Sequence, residues 1–451
     1  MLGWRILESG EYKLDLPVLG AEEEELILAA ESLFKESARL REAQGESGGR
    51  ELVQRMLEKA ATNGGIYLDR SQGEYLGEMA HMHIYGFAFF DRLLEDPEIE
   101  EISVIGPKKP VHVFLRKKGW RSVNACFEDE KTIADMVNRM SRVLGRHITM
   151  QNPRLDAALP DGSRLHASLP PVSSGEITIR RFRERPFSPR ELAENGTLDA
   201  DLMAFLSIIM QCDFSLIIAG NTASGKTTTL NALFSFVPYN ERIIITEETP
   251  EINIPHAHQL RMVANREMGI TLKDLVYDSL RMRPDRMIVG EVRNKDEAEA
   301  LFDVLLAGQA RGSYATLHAQ SADEALSRLR SFGIREEDQK SIDCIVVQRR
   351  MLVYDSKRRC AHEARRVVEI MDAGSGKRIY AYGKTGSKIE GRNLKCPLLE
   401  RAAESFGLSE REMDLELKTR RRLIGSVGSD FASFFSGVQK GLYGFGVKGG
   451  S

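Results

Sequence analysis

Residues 20–95 carry apolar side chains at helical spacing, and the first helix opens on Glu22–Glu25 ahead of Leu26, Ile27 and Leu28. Carboxylates in a first turn complement the helix dipole. This acidic run reads either as a solvated helix face or as a docking surface for a partner. Asn63-Gly64-Gly65 breaks the pattern, and a second helical stretch ends near Leu94. From Ile99 the period falls to two. Ile102 and Val104, then Val111, Val113 and Leu115, flank Gly106-Pro107 and predict a hairpin. A helix follows through Ile133, Val137, Met140, Val143 and Leu144. Pro160-Asp161-Gly162 then marks a turn before the alternating Ile177-Thr178-Ile179. The pattern predicts a helical region over 1–95 and an α+β domain over 96–185. Pro186, Ser188 and Pro189 place a linker at 186–190, because two prolines so close suit neither helix nor central strand.

Beyond the linker the order is strand, glycine loop, helix, strand. Leu216–Ala219, Ile243–Ile245 and Met287–Val289 are short apolar runs without alternation, as in parallel strands covered on both faces. The predicted fold class is α/β, with a mainly parallel sheet over 191–398 and a helical tail over 399–451. Arg420–Arg422 fall in that tail, which ends in Phe431, Phe434, Phe435 and Tyr443 and a Gly-rich terminus. The aromatic stripe is read as packing rather than as a membrane or cofactor contact. No internal repeat is evident.

Composition narrows the function. The 451 residues fit about three domains. Lys and Arg total 63 against 66 Asp and Glu, a net charge of −3. That balance argues against a nucleic-acid coat, and no nucleic-acid partner is expected. With 42% hydrophobic residues the chain can build cores, which excludes general disorder. Five scattered cysteines (Cys126, Cys212, Cys344, Cys360 and Cys396) contain no CxxC, so a disulfide scaffold and a four-cysteine zinc site are excluded and a reducing cytoplasm fits. No apolar run approaches the ~18 residues of a membrane span, and the N-terminus lacks a signal-peptide profile. A soluble chain is expected, with any membrane role supplied by a partner.

Gly220-Asn221-Thr222-Ala223-Ser224-Gly225-Lys226-Thr227, followed by Thr228, satisfies the P-loop pattern between an apolar strand and a helix. Its glycines allow backbone N–H groups to face phosphate oxygens. Lys226 supplies a point charge to the β- and γ-phosphates, and Thr227 offers a hydroxyl to Mg²⁺. Met287-Ile288-Val289-Gly290-Glu291 is an apolar strand ending in a carboxylate, as in a Walker B. It makes Glu291 the candidate general base and a water-mediated Mg²⁺ holder. Thr246-Glu247-Glu248-Thr249-Pro250-Glu251 puts three carboxylates at a strand end, where open α/β sheets bind ligands. They read as groups ordering Mg²⁺ and its waters, or as a solvated acidic turn. His318 ends the Tyr314–Leu317 strand, where it serves as a γ-phosphate contact or as a structural histidine.

In combination these segments resemble the Walker A, Asp box, Walker B and His box of the type II/type IV secretion ATPase superfamily. Leu280–Arg286 runs into Gly290-Glu291-Val292-Arg293, and Thr316–Ala319 follows in the same order. Upstream, Leu155–Ala157, Leu159–Arg164 and Ile177–Phe182 resemble that family's N-terminal domain ending, so the likeness covers roughly 60–425. Asn63–Arg70, Asp96–Ser103 and Tyr314–His318 lean towards archaeal members. Glu248 stands where the family usually has Asp, and Gln309 where the His box often opens Gly-His.

The resemblance implies a RecA-like ATPase domain with ATP and Mg²⁺ as cofactors, preceded by an α+β domain. It implies a homohexamer binding ATP between the two domains, with Arg164, Arg180, Arg181, Arg281 and Arg283 as candidate phosphate clamps, Arg164 and Arg180 foremost. Glu291, Glu247, Glu248 and His318 complete the catalytic set; Thr227, Glu248 and Glu291 form the metal set. The function it implies is a cytoplasmic ATPase motor at the membrane's cytoplasmic face. It would act through a polytopic platform protein and indirectly on pilin-like subunits, assembling pilus-like or archaeal filaments or driving type II-like secretion. The alternatives are a conjugation-type type IV secretion motor and a nucleotide-gated scaffold with little hydrolysis. A helicase is disfavoured, because aromatic and basic residues are not interleaved.

Overall fold

The computed structural model describes residues 4–7, 11–15, 19–85, 87, 89–116, 118–181, 185–265, 268–308, 310–355, 359–383, 389–392 and 394–446, except 43–48. Phe182, Gln309 and the last residues of the Gly-rich terminus, 447–451, lie outside the described residues. The chain divides into two compact units, Met1–Phe182 and Arg183–Ser451.

In the first unit, the helices Ala21–Glu42, Arg50–Asn63 and Arg70–Ile84 come before the main run of strands. They share a small core of Leu26, Ile27, Val53, Leu57, Leu76 and Ala80. Asp69 starts the third helix with a capping box, its side chain accepting from Gln72 N at 2.8 Å. Beside them is a seven-stranded sheet in which every neighbouring pair is antiparallel. The expected hairpin is present as Ile99–Val104 paired with Pro110–Leu115. The helix Glu130–Ser141 covers the sheet with Ile133, Met136, Val137 and Met140.

Two segments of the region read as helical belong to this sheet and its core. Trp4–Ile6 is a strand paired with Gly119–Phe127. Phe89 and Phe90, on the short helix Phe89–Glu95, stack on each other and against Phe127. A three-residue strand is too short to show a period, so only its pairing reveals it.

The second unit is built on a nine-stranded sheet. Its first six strands are parallel, in the order Gln259–Val263, Ile243–Glu247, Arg286–Val292, Gly312–Leu317, Leu216–Gly220 and Cys344–Asp355. Cys360–Asp372, Lys377–Tyr382 and Ile389–Arg392 extend it antiparallel. The apolar runs at 216, 243 and 287 are therefore buried parallel strands, as their lack of alternation predicts. One face is covered by a core that includes Phe205, Leu206, Ile209 and Phe234, and the other by one that includes Leu301, Val304 and Leu329.

Pro189, expected in a linker, opens the helix Pro189–Glu194 behind the N-cap Ser188. Proline is accommodated there because the first helical N–H has no partner to lose. The tail helices Pro397–Phe406, Glu410–Ser426 and Phe431–Tyr443 pack into the first of these cores. Phe434 meets Phe236 edge-on, and Tyr443 donates its hydroxyl to Phe236 O at 2.5 Å, in line with the packing role expected of the aromatic stripe. Among the described residues, no helix is long and apolar enough to cross a membrane.

Candidate active site

Because the central strands are parallel, their C-terminal ends share one edge of the sheet. Gly220 ends the middle strand, and the loop Asn221–Gly225 leads into the helix Lys226–Leu233. Ala223 and Gly225 both take positive φ, +58° and +92°. Alternating backbone signs of this kind curl successive N–H groups into an anion-binding nest. A Cβ on Gly225 would lie 2.9 Å from Gln348 Nε2, and one on Gly220 would overlap the Gln348 carbonyl. Gly220 is required by close approach and Gly225 by its positive φ. Thr222, Ala223 and Thr228 stay at least partly accessible, while Ser224 and Lys226 are buried.

Lys226 Nζ lies 3.3 Å from Gly220 O and 3.9 Å from Glu291 Oε1. His318 Nε2 is 2.8 Å from the same Glu291 oxygen. These three residues come from three neighbouring strand ends, and the structure brings them together. Burial and the Lys226 charge push the His318 pKa down, while Glu291 pushes it back up, for a net decrease. Arg293, two residues along from Glu291, binds Glu291 Oε2 at 2.6 Å and also pairs with Glu248. Gly290 sits at a register shift between Val289 and Val292, and a Cβ there would come within 3.0 Å of Glu247 Cγ.

Glu247 has a different setting. It is 2% exposed, and its Oε1 accepts from Glu251 N at 2.7 Å and Ile252 N at 2.8 Å. Arg261 Nε stands 3.3 Å from its other oxygen. Burial raises its pKa to about 7, against the lowering effect of those N–H groups and Arg261. It fastens the turn that carries Glu248 and Glu251. Glu251 in turn accepts from Thr227 Oγ1 at 3.1 Å.

The residues present fit a magnesium-bound triphosphate. Ser224 Oγ is buried inside the loop with no hydrogen-bond partner among the described residues. Thr227, Glu248, Glu251 and Glu291 offer hard oxygen donors around the start of the helix. Among the described residues, no three His, Cys, Asp or Glu side chains form a metal cage. Mg²⁺ at such sites takes few protein ligands and is completed by phosphate and water.

Arg164 and Arg180 lie in the first unit as directly opposed residues of adjacent strands. Arg164 stands 3.8 Å from Asp156, and Arg180 is exposed beside Glu101 in the ladder. Arg181 is held by the Asp96 carbonyl. Arg281 and Arg283 are exposed. Nearby Arg286 is fully buried, paired with Glu241 at 2.6 Å and bonded to Cys212 O and Tyr314 Oη at 2.7 and 3.0 Å.

Sequence reading missed Arg293, Gln348 and Arg365. Arg293 is signalled only by its same-side spacing from Glu291. The other two come from strands that no local pattern ties to the loop.

A family model described as type II/IV secretion system protein matches residues 85–394. The chain belongs to that family. Among its relatives, uncharacterized protein MJ0900 of Methanocaldococcus jannaschii is 30% identical over 440 residues, 93% of this chain and 77% of that protein. Uncharacterized protein MJ0781 of the same organism is 40% identical over 228 residues, 48% of this chain and 31% of that protein. This chain therefore spans less than a third of MJ0781. Protein VirB11 of Agrobacterium fabrum is 29% identical over 293 residues, covering 56% of this chain and 83% of that protein. The two Methanocaldococcus relatives agree with the archaeal leaning of the type II/IV secretion motifs in this sequence.

Proposed function

We propose that this type II/IV secretion family member is a Mg²⁺-dependent ATPase motor. The observation that carries the reading is the meeting of Lys226, Glu291 and His318 beside the P-loop nest. Lys226 and the loop N–H groups bind the phosphates, and Thr227, Glu248 and Glu291 are the residues that would hold Mg²⁺, Glu291 through water. When bound, Mg²⁺ neutralises phosphate charge and fixes the phosphate being attacked. Glu291 Oε1 takes the proton of the attacking water. Arg293 holds the other Glu291 oxygen, which leaves Oε1 aimed at the site. His318 orients that carboxylate and contacts the terminal phosphate. Arg164 and Arg180 are the candidate phosphate clamps, of the kind an arginine finger provides.

A conformational change on ATP binding, reversed after hydrolysis, would convert chemistry into movement. On this reading the protein works as a homohexamer at the cytoplasmic face of a membrane. It drives a polytopic platform protein that assembles pilus-like or archaeal filaments or exports protein. The family match supports a secretion-linked role. Phosphate release by the wild type, Lys226→Ala and Glu291→Gln proteins tests the site; wild-type rates in either variant would refute it. A mass measurement with ATP tests the hexamer.

A further inference from the structure

A P-loop places demands on its carbonyls as well as on its N–H groups. When the peptide planes from Ala223 to Gly225 present N–H groups to a phosphate, their carbonyls turn away and require donors of their own. The Cys344–Asp355 and Cys360–Asp372 strands supply them. Gln348 is 1% exposed; its Nε2 donates to Ser224 O at 2.8 Å, and its Oε1 accepts from Thr229 Oγ1 at 2.6 Å. Arg365 Nε donates to Ala223 O at 3.0 Å. Asn221 completes the attachment, accepting from Arg350 N at 2.9 Å and donating to Arg350 O at 3.2 Å.

The ladder itself offers a second sign. Arg350 stands directly opposite Arg365, and on the next rung Arg349 stands opposite Arg366. Like charges directly opposed destabilise a strand pair. Strand stability alone does not account for Arg365, whereas its bond to the P-loop carbonyl does.

On the reading of this loop as a nucleotide site, we propose that Gln348 and Arg365 are positioning residues that hold the P-loop backbone in its phosphate-receiving shape before nucleotide arrives, Gln348 fixing the Ser224–Gly225 peptide plane and Arg365 the Ala223–Ser224 plane, whose N–H closes the turn onto Asn221 O at 3.2 Å. They act through the loop. Preorganising a site raises affinity by removing an ordering cost at the moment of binding. Glu291 and His318 sit on other strands, so the effect falls on nucleotide affinity and KM and leaves kcat largely intact.

The test uses the full chain, titrated with fluorescent mant-ATP and mant-ADP in the presence of Mg²⁺, together with steady-state hydrolysis and melting without nucleotide. Arg365 is exposed, so Arg365→Ala should melt like the wild type. It should bind both nucleotides about tenfold more weakly, the effect of one lost hydrogen bond. KM should rise with kcat within about twofold. Arg365→Lys, which keeps a donor, should recover most of the affinity. Gln348→Glu keeps the acceptor for Thr229, loses the donor to Ser224 and should bind more weakly still. Wild-type affinity in Arg365→Ala, or no recovery in Arg365→Lys, overturns the proposal even if Gln348→Glu fails to fold. A wild-type protein that binds neither nucleotide defeats the nucleotide reading and this proposal together. Tight wild-type binding unaffected by these substitutions defeats this proposal alone.

Discussion

Glu291 Oε1 and His318 Nε2 lie 2.8 Å apart at the ends of adjacent parallel strands whose register pairs Val292 with Leu317. The sheet carries one residue to the other across the intervening helix Lys295–Ala307. Lys226 approaches the same oxygen from the helix that follows Leu216–Gly220, the strand beside Gly312–Leu317 in the sheet although it comes far earlier in the sequence. The site is thus a property of strand order.

Replacing the proposed base should separate binding from chemistry. Glu291→Gln keeps the shape and loses the carboxylate, so hydrolysis should fall by about 10²–10⁴-fold while mant-ATP still binds. Lys226→Ala should lose binding as well. Phosphate release and fluorescence titration, run on the same preparations, distinguish the two outcomes.

Glu247 should make the fold less stable as pH rises. Its folded pKa of about 7 lies above the ordinary glutamate value of 4.5, so between those values the native state holds a proton that the unfolded chain has released. The penalty is absent below pH 4.5 and complete above pH 7, where it amounts to roughly 3 kcal/mol. Glu247→Gln still accepts from Glu251 and Ile252. It should match the wild type near pH 4.5 and exceed its stability at pH 8, as measured by denaturant unfolding.

His256 acts in the opposite direction. Buried between Phe234 and Phe435 and bonded to Val237 O, it has its pKa lowered from 6.5 to about 4, burial being the main cause. The unfolded chain takes up a proton between those values and the native state does not. Stability is therefore lost as pH falls from 6.5 to 4, by up to roughly 3 kcal/mol. His256→Phe should flatten this acid limb, at the cost of about 1 kcal/mol at neutral pH for the lost hydrogen bond.

Arg286 and Glu241 form a buried pair at the N-terminal end of the Arg286–Val292 strand. Arg286→Met leaves the buried Glu241 carboxylate to the more exposed Arg311, 3.4 Å away, and should cost about 3 kcal/mol. Adding Glu241→Gln should restore part of that loss. Thermal melting of the single and double variants measures the coupling.

Local patterns in the sequence were sufficient for the elements that carry their own signals. The P-loop glycines mark a turn that only small residues allow. The unalternating runs at Ile243 and Met287 mark strands covered on both faces, and the paired spacing around Gly106-Pro107 marks a hairpin. Each signal depends on neighbours a few residues apart, which chain sterics and burial link directly. Pro189 was misread because the same residue that breaks a helix interior also opens a helix, and the difference is its position relative to Ser188.

Relations between distant segments were decided by the tertiary structure alone. Nothing near Gln348 or Arg365 indicates that their donors meet the carbonyls of Ser224 and Ala223, more than 120 residues away along the chain. Glu247, Glu248 and Glu291 look alike as strand-end carboxylates. Packing makes the first a buried clasp with a raised pKa and places the other two around Arg293. Side-chain chemistry is encoded residue by residue, whereas burial, and with it charge state and partner, is set by which strands the sheet places side by side.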